Sequence, residues 1–98
     1  MKLLVCILDD FYKEQVEKEL REKGYRMTEL ASSGGFLRKG STTFLFGANE
    51  DDLPGLRESL KEACLNVEKK KQRKDKRPHR YTSFLMKSGD LSALLANQ

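Results

Sequence analysis

The residues that could do chemistry cluster between positions 26 and 47. Arg26 and Thr28 lie two apart, so a strand would turn both to one face. The segment Ala31-Ser32-Ser33-Gly34-Gly35-Phe36-Leu37-Arg38-Lys39-Gly40-Ser41-Thr42-Thr43-Phe44-Leu45-Phe46-Gly47 follows, with four of the chain's seven glycines. Phe36 and Leu37 stand between a double glycine and a basic pair. A loop that only reverses the chain has no need of Phe-Leu at its tip. Glycines allow backbone N–H groups to approach a ligand closely, and exposed apolar residues beside positive charge suit something flat and anionic. Gly35-Phe36-Leu37-Arg38-Lys39-Gly40-Ser41 echoes a phosphate-binding P-loop only superficially. The lysine before the hydroxyl residue is missing, and the segment joins two strands.

Other candidates for chemistry are weaker. His79 is the only histidine, and the two cysteines, Cys6 and Cys64, fall inside apolar patterns. With no ligand partner at a useful spacing, no metal site and no cofactor are expected. Asp9-Asp10 and Asn49-Glu50-Asp51-Asp52 precede helical patterns and read as caps, not as a carboxylate pair or a metal loop. No nucleophile–base constellation is present, so a non-enzymatic protein is expected.

The elements that must hold residues 26–47 can be read in order. Residues 2–8 are almost continuously apolar, like a strand covered on both faces. A helix follows to about Lys23, with Tyr12, Val16 and Leu20 as its core stripe and Gly24 as its left-handed stop. Its exposed face offers Glu14–Lys18, Glu17–Arg21 and Glu19–Lys23 as i,i+4 pairs. Tyr25 to Ala31 alternates, with Tyr25, Met27 and Glu29 facing one way and Arg26, Thr28 and Leu30 the other. Residues 42–48 form a third strand, and the loop of about residues 32–41 makes the pair an antiparallel hairpin. The spacing of Leu53, Leu56, Leu60, Ala63, Cys64 and Val67 predicts a second helix over 53–67, with Pro54 in its first turn. A last strand spans Tyr81 to Met86, then a turn at Ser88-Gly89-Asp90 and a short apolar tail.

The order β-α-β-β-α-β is the ferredoxin-like split arrangement, an α+β fold with a four-stranded antiparallel sheet and two helices on one face. Strand residues 43–46 and 84–86 are apolar on both parities, so the second face calls for a partner copy. Ninety-eight residues make a single domain over 1–98. No apolar run nears the roughly 20 residues that cross a bilayer. With no secretion signal and cysteines placed as core, a cytoplasmic protein with reduced thiols is expected. The net charge of +4 is unevenly spread: residues 69–80 carry eight Lys or Arg and one Asp, which leaves the rest at −3. That basic run reads as a flexible loop. A second reading makes it the contact for nucleic acid or an acidic protein partner, through sequence-independent phosphate binding.

Gly34-Gly35-Phe36-Leu37-Arg38, then Gly40-x-Thr42-Thr43-Phe44-Leu45-x-Gly47, together with Tyr25-Arg26-x-Thr28 and Leu30-Ala31, resembles the PII-like cyclic di-AMP receptor family of bacteria. The resemblance covers residues 1–66 well and the last strand more weakly. It implies a homotrimer of ferredoxin-like protomers that binds cyclic di-AMP in clefts between subunits and relays it to a protein partner in signal transduction. It also implies ligand contacts from Arg26, Thr28, Gly35, Phe36, Leu37, Ser41 and Gly47. Ser41 stands where such proteins commonly carry Asn, and Gly24 where an Asn often contributes. The family's long hairpin after the second helix is replaced here by the basic run. Another adenine nucleotide is the alternative ligand.

Overall fold

The computed structural model describes residues 2–30, 40–71, 80–87 and 89–90. Its elements are β1 (Lys2–Asp9), a 3-10 helix (Asp10–Tyr12), α1 (Lys13–Glu22), β2 (Arg26–Glu29), β3 (Ser41–Ala48), a second 3-10 helix (Glu50–Asp52), α2 (Leu53–Lys70) and β4 (Tyr81–Lys87). The four strands form one antiparallel sheet in the order β2-β3-β1-β4. This is the ferredoxin-like arrangement expected from the element order.

The helices cover one face. Leu4, Cys6 and Leu8 of β1, Phe44 and Phe46 of β3, and Met27 of β2 pack with Tyr12, Val16 and Leu20 and with the apolar stripe of α2. The alternate residues of each strand turn to the second face, where Val5, Leu45 and Phe84 share one row of the sheet. Val5 and Leu45 are buried; Phe84 is 40% exposed. β1 is thus apolar on both faces: Leu4, Cys6 and Leu8 are buried under the helices, while on the second face Val5 is buried and Leu3 and Ile7 are half-buried.

Helix starts and stops follow local chemistry with two departures. Asp9 accepts a hydrogen bond from the Phe11 backbone N–H at 2.9 Å, and Gly24 turns the chain at φ +89°. At the start of α2 neither Asn49 nor Asp52 caps with its side chain; the second 3-10 helix and a first-turn Pro54 make the entry instead. Apolar spacing ends α2 at Val67, yet it runs on to Lys70, taking in the first lysines of the basic run. Residues 72–79 of that run and the tail from 91 lie outside the described residues. Among the i,i+4 pairs Arg21 does meet Glu17, at 3.1 Å. Glu19 accepts from Gln15 and Asn66 of α2, and Lys23 turns to Glu62, so these two residues fasten α1 to α2 rather than pairing with each other.

Candidate functional site

Register decides which candidate residues meet. Arg26 and Gly47 are direct cross-strand partners, and Gly47 is in turn paired with Leu3. Thr28 pairs with Leu45, two residues along. Met27 is buried in the core between them, so Arg26 and Thr28 point to the second face, where both are exposed. The row Arg26–Gly47–Leu3 has a notch where Gly47 carries no side chain.

Beside the notch lies a cavity of about 300 Å³. Gly24, Tyr25 and Arg26 form one wall; Gly47, Ala48, Asn49 and Asp52 form the other. Gly24 contributes only backbone, and a Cβ there would meet nothing within 4 Å. Tyr25 packs against the core with its hydroxyl over Gly55, where an added Cβ would lie 3.3 Å away. Among the described residues no carboxylate lies within ion-pair distance of the Arg26 guanidinium. The groove therefore offers a cation without an ion-pair partner among the described residues, and a glycine notch. Sequence reading had assigned Asn49 and Asp52 to a cap and had given Tyr25 no role here; no pattern in the chain would have exposed their place in the groove.

Ser41 sits elsewhere. It begins β3, paired with Asp9 at the opposite end of the sheet. Six residue steps along the strand separate it from Gly47, about 20 Å. Gly35, Phe36 and Leu37 lie outside the described residues. The described residues on either side of them are nonetheless held. Leu30 donates its backbone N–H to Thr43 at 2.9 Å, Asp10 N–H reaches the Gly40 carbonyl at 3.0 Å, and the Thr42 hydroxyl donates to the Asp10 carboxylate at 2.6 Å.

The end of the sheet that holds Ser41 also carries a polar knot. Arg80 grips Glu68 with two hydrogen bonds of 2.9 and 3.0 Å, and the buried Tyr12 donates its hydroxyl to the same carboxylate at 2.5 Å. The Glu68 hydrogen bond holds the Arg80 proton above its ordinary range. Nearby, burial pushes the Tyr81 hydroxyl upward too. Burial, with Cys64 adding to it, pushes the Cys6 thiol up to about 12. Burial does the same to Cys64, also to about 12, against an opposing pull from Arg80. Neutral, enclosed thiols are poor nucleophiles. A second cavity of about 290 Å³ opens at this end between Phe11, Lys13, Val67, Lys70 and Lys71; Lys70 and Lys71 belong to the basic run, and none of the residues that the resemblance assigns to cyclic di-AMP lines it.

Comparison with known proteins bears on this geometry. The family described as cyclic-di-AMP receptor matches residues 1–88. Among solved structures, the crystal structure of a functionally unknown protein from Pediococcus pentosaceus ATCC 25745 is similar, with a TM-score of 0.62 at 26% identity. The match covers 87% of this chain and 88% of that one.

Proposed function

The chain belongs to the cyclic-di-AMP receptor family, and from that membership we propose that it is a non-enzymatic receptor that binds cyclic di-AMP and relays the binding to a protein partner. The observation that carries the reading is the shared face of Arg26, Thr28 and Gly47, with Arg26 and Gly47 opening into one groove. A guanidinium with no carboxylate in ion-pair distance among the described residues suits a phosphodiester, by charge-assisted hydrogen bonds. Gly47 admits a base or ribose against the backbone of β3.

The dimensions favour a site shared between copies. A cavity of about 300 Å³ is at the small end for ligand sites, and cyclic di-AMP carries two bases and two phosphates. One ligand in contact with both Gly47 and Ser41 would need the Ser41 end of one copy beside the Gly47 end of another. A closed ring of three copies, as the resemblance implies, would supply such clefts and cover the apolar row around Phe84. Gly35, Phe36 and Leu37 would complete the pocket from the loop, with the Phe36 ring stacked on adenine. No bond is made or broken; the ligand shifts the population toward a state that the partner recognises.

Calorimetric titration of the purified chain with cyclic di-AMP tests this, with cyclic di-GMP, cyclic AMP, ATP and ADP in parallel and light scattering for the mass. Heat and a raised melting temperature with cyclic di-AMP, on a particle of three chains, are the expected results. No heat and no melting shift at high micromolar cyclic di-AMP would overturn the reading.

A further inference from the structure

We infer that Asn49 selects the base in this groove, reading the edge of an adenine through its side-chain amide while Arg26 holds the phosphate. The inference rests on the nucleotide-binding reading above and adds to it the residue that distinguishes one base from another.

Position is the first ground. Asn49 directly follows β3 and lines the same cavity as Arg26 and Gly47. The second ground is its freedom. Asn49 occupies the cap position of the second 3-10 helix, at φ −77° and ψ 158°. An asparagine there ordinarily turns its amide oxygen onto the first free N–H groups of the helix. Among the described residues this one makes no side-chain cap bond, while its backbone carbonyl accepts from the Asp52 N–H at 2.9 Å. The residue is exposed, and its amide keeps both donor and acceptor available.

Charge layout is the third ground. Arg26 stands on one wall of the groove and Asp52 on the other, beside Asn49. A carboxylate repels a phosphate and accepts from an exocyclic amine. The phosphate therefore belongs with Arg26 and the base with Asn49 and Asp52. Adenine presents a donor at N6 next to an acceptor at N7, which an asparagine amide matches with two hydrogen bonds. Guanine presents two acceptors, O6 and N7, so its O6 would face the Asn49 carbonyl and the Asp52 carboxylate. Among the described lining residues Asp52 can accept but not donate, and Arg26 can donate but not accept, so neither matches both edges of adenine. Gly24, Gly47 and Ala48 offer no polar side chain, and the Tyr25 hydroxyl is turned over Gly55.

The test compares cyclic di-AMP with cyclic di-GMP by calorimetry on the full chain and on Asn49→Ala, Asn49→Asp and Asn49→Gln. The wild-type chain should favour cyclic di-AMP. Asn49→Ala and Asn49→Asp should each lose cyclic di-AMP affinity on the order of tenfold and bring the two ligands within about threefold of each other. Asn49→Gln, which keeps the amide, should retain the preference. Unchanged melting temperatures without ligand would show that each variant folds. If Asn49→Ala binds cyclic di-AMP with the wild-type preference, the role of Asn49 is overturned and the receptor reading stands. If the wild-type chain does not bind cyclic di-AMP, the receptor reading fails and base selection fails with it.

Discussion

The two ends of the sheet treat their polar residues in opposite ways. Where β1 finishes, polar groups are committed to one another: Glu68 to Arg80 and Tyr12, Asp10 to Thr42 and Gly40, Asp9 to Phe11. Where β1 begins, Arg26 and Asn49 line a groove with no internal partner for either side chain among the described residues. Buried or half-buried polar groups need partners, so the first end is spent on holding the fold. Exposed groups left unpaired around a concavity cost the fold little and remain available to a ligand. Charge alone would not have made this distinction, because arginines sit at both ends.

The comparison stands on a core common to both ends, and the largest effect should come from there. Phe46→Ala removes a fully buried ring whose strand partners are Met27 and Leu4. Chemical denaturation should show a loss of about 3–5 kcal/mol. Raising the pH probes the same core without mutation. The Cys6 and Cys64 thiols ionise near 9.0 when unfolded and only at about 12 when folded. The unfolded chain therefore loses protons first, and stability should fall as pH rises from 9 toward 12. The slope should reach up to about 1.4 kcal/mol per pH unit for each thiol, and Cys64→Ala should flatten it.

The next two changes separate the ends. Glu68→Ala leaves Arg80 and Tyr12 without their shared acceptor. Since the pair is partly exposed, a loss of about 1–3 kcal/mol in stability is expected, with cyclic di-AMP affinity changed less than about threefold. Arg26→Ala should do the reverse. Calorimetry should show cyclic di-AMP weakened by about 1–3 kcal/mol, while unfolding stability moves by no more than about 0.5 kcal/mol. A chain in which Glu68→Ala abolished binding, or Arg26→Ala unfolded the protein, would erase the distinction between the two ends.

Much of the fold was legible because each element announced itself in its own period. The apolar run of residues 2–8, the four-residue stripe of Tyr12, Val16 and Leu20, and the stop at Gly24 all appear as read. α2 outran its reading because the apolar signal stops at Val67, while Glu68, Lys69 and Lys70 are good helix formers that simply continue the turn. The site was legible in one dimension. Alternation alone put Arg26 and Thr28 on a common face away from Met27. That Arg26 abuts Gly47 is a matter of register, which alternation within a strand does not specify. The distance between Ser41 and Gly47 follows from strand length, but its meaning emerges only once Arg26 is known to lie at the Gly47 end. Asn49 was hidden for a different reason: a capping residue and a base-reading residue have the same identity and differ only in whether the amide is engaged.

The grip of Arg80 on Glu68 has a consequence for how this chain can change. It joins the end of α2 to the entrance of β4 across residues 69–79, whatever those residues are. The strand then takes its register from the clasp and from β1, not from the chain between. Closing a longer segment costs only about 0.6 kcal/mol for each doubling of its length. A peptide tag inserted between Lys71 and Arg80 should therefore leave the register of β4 on β1 unchanged.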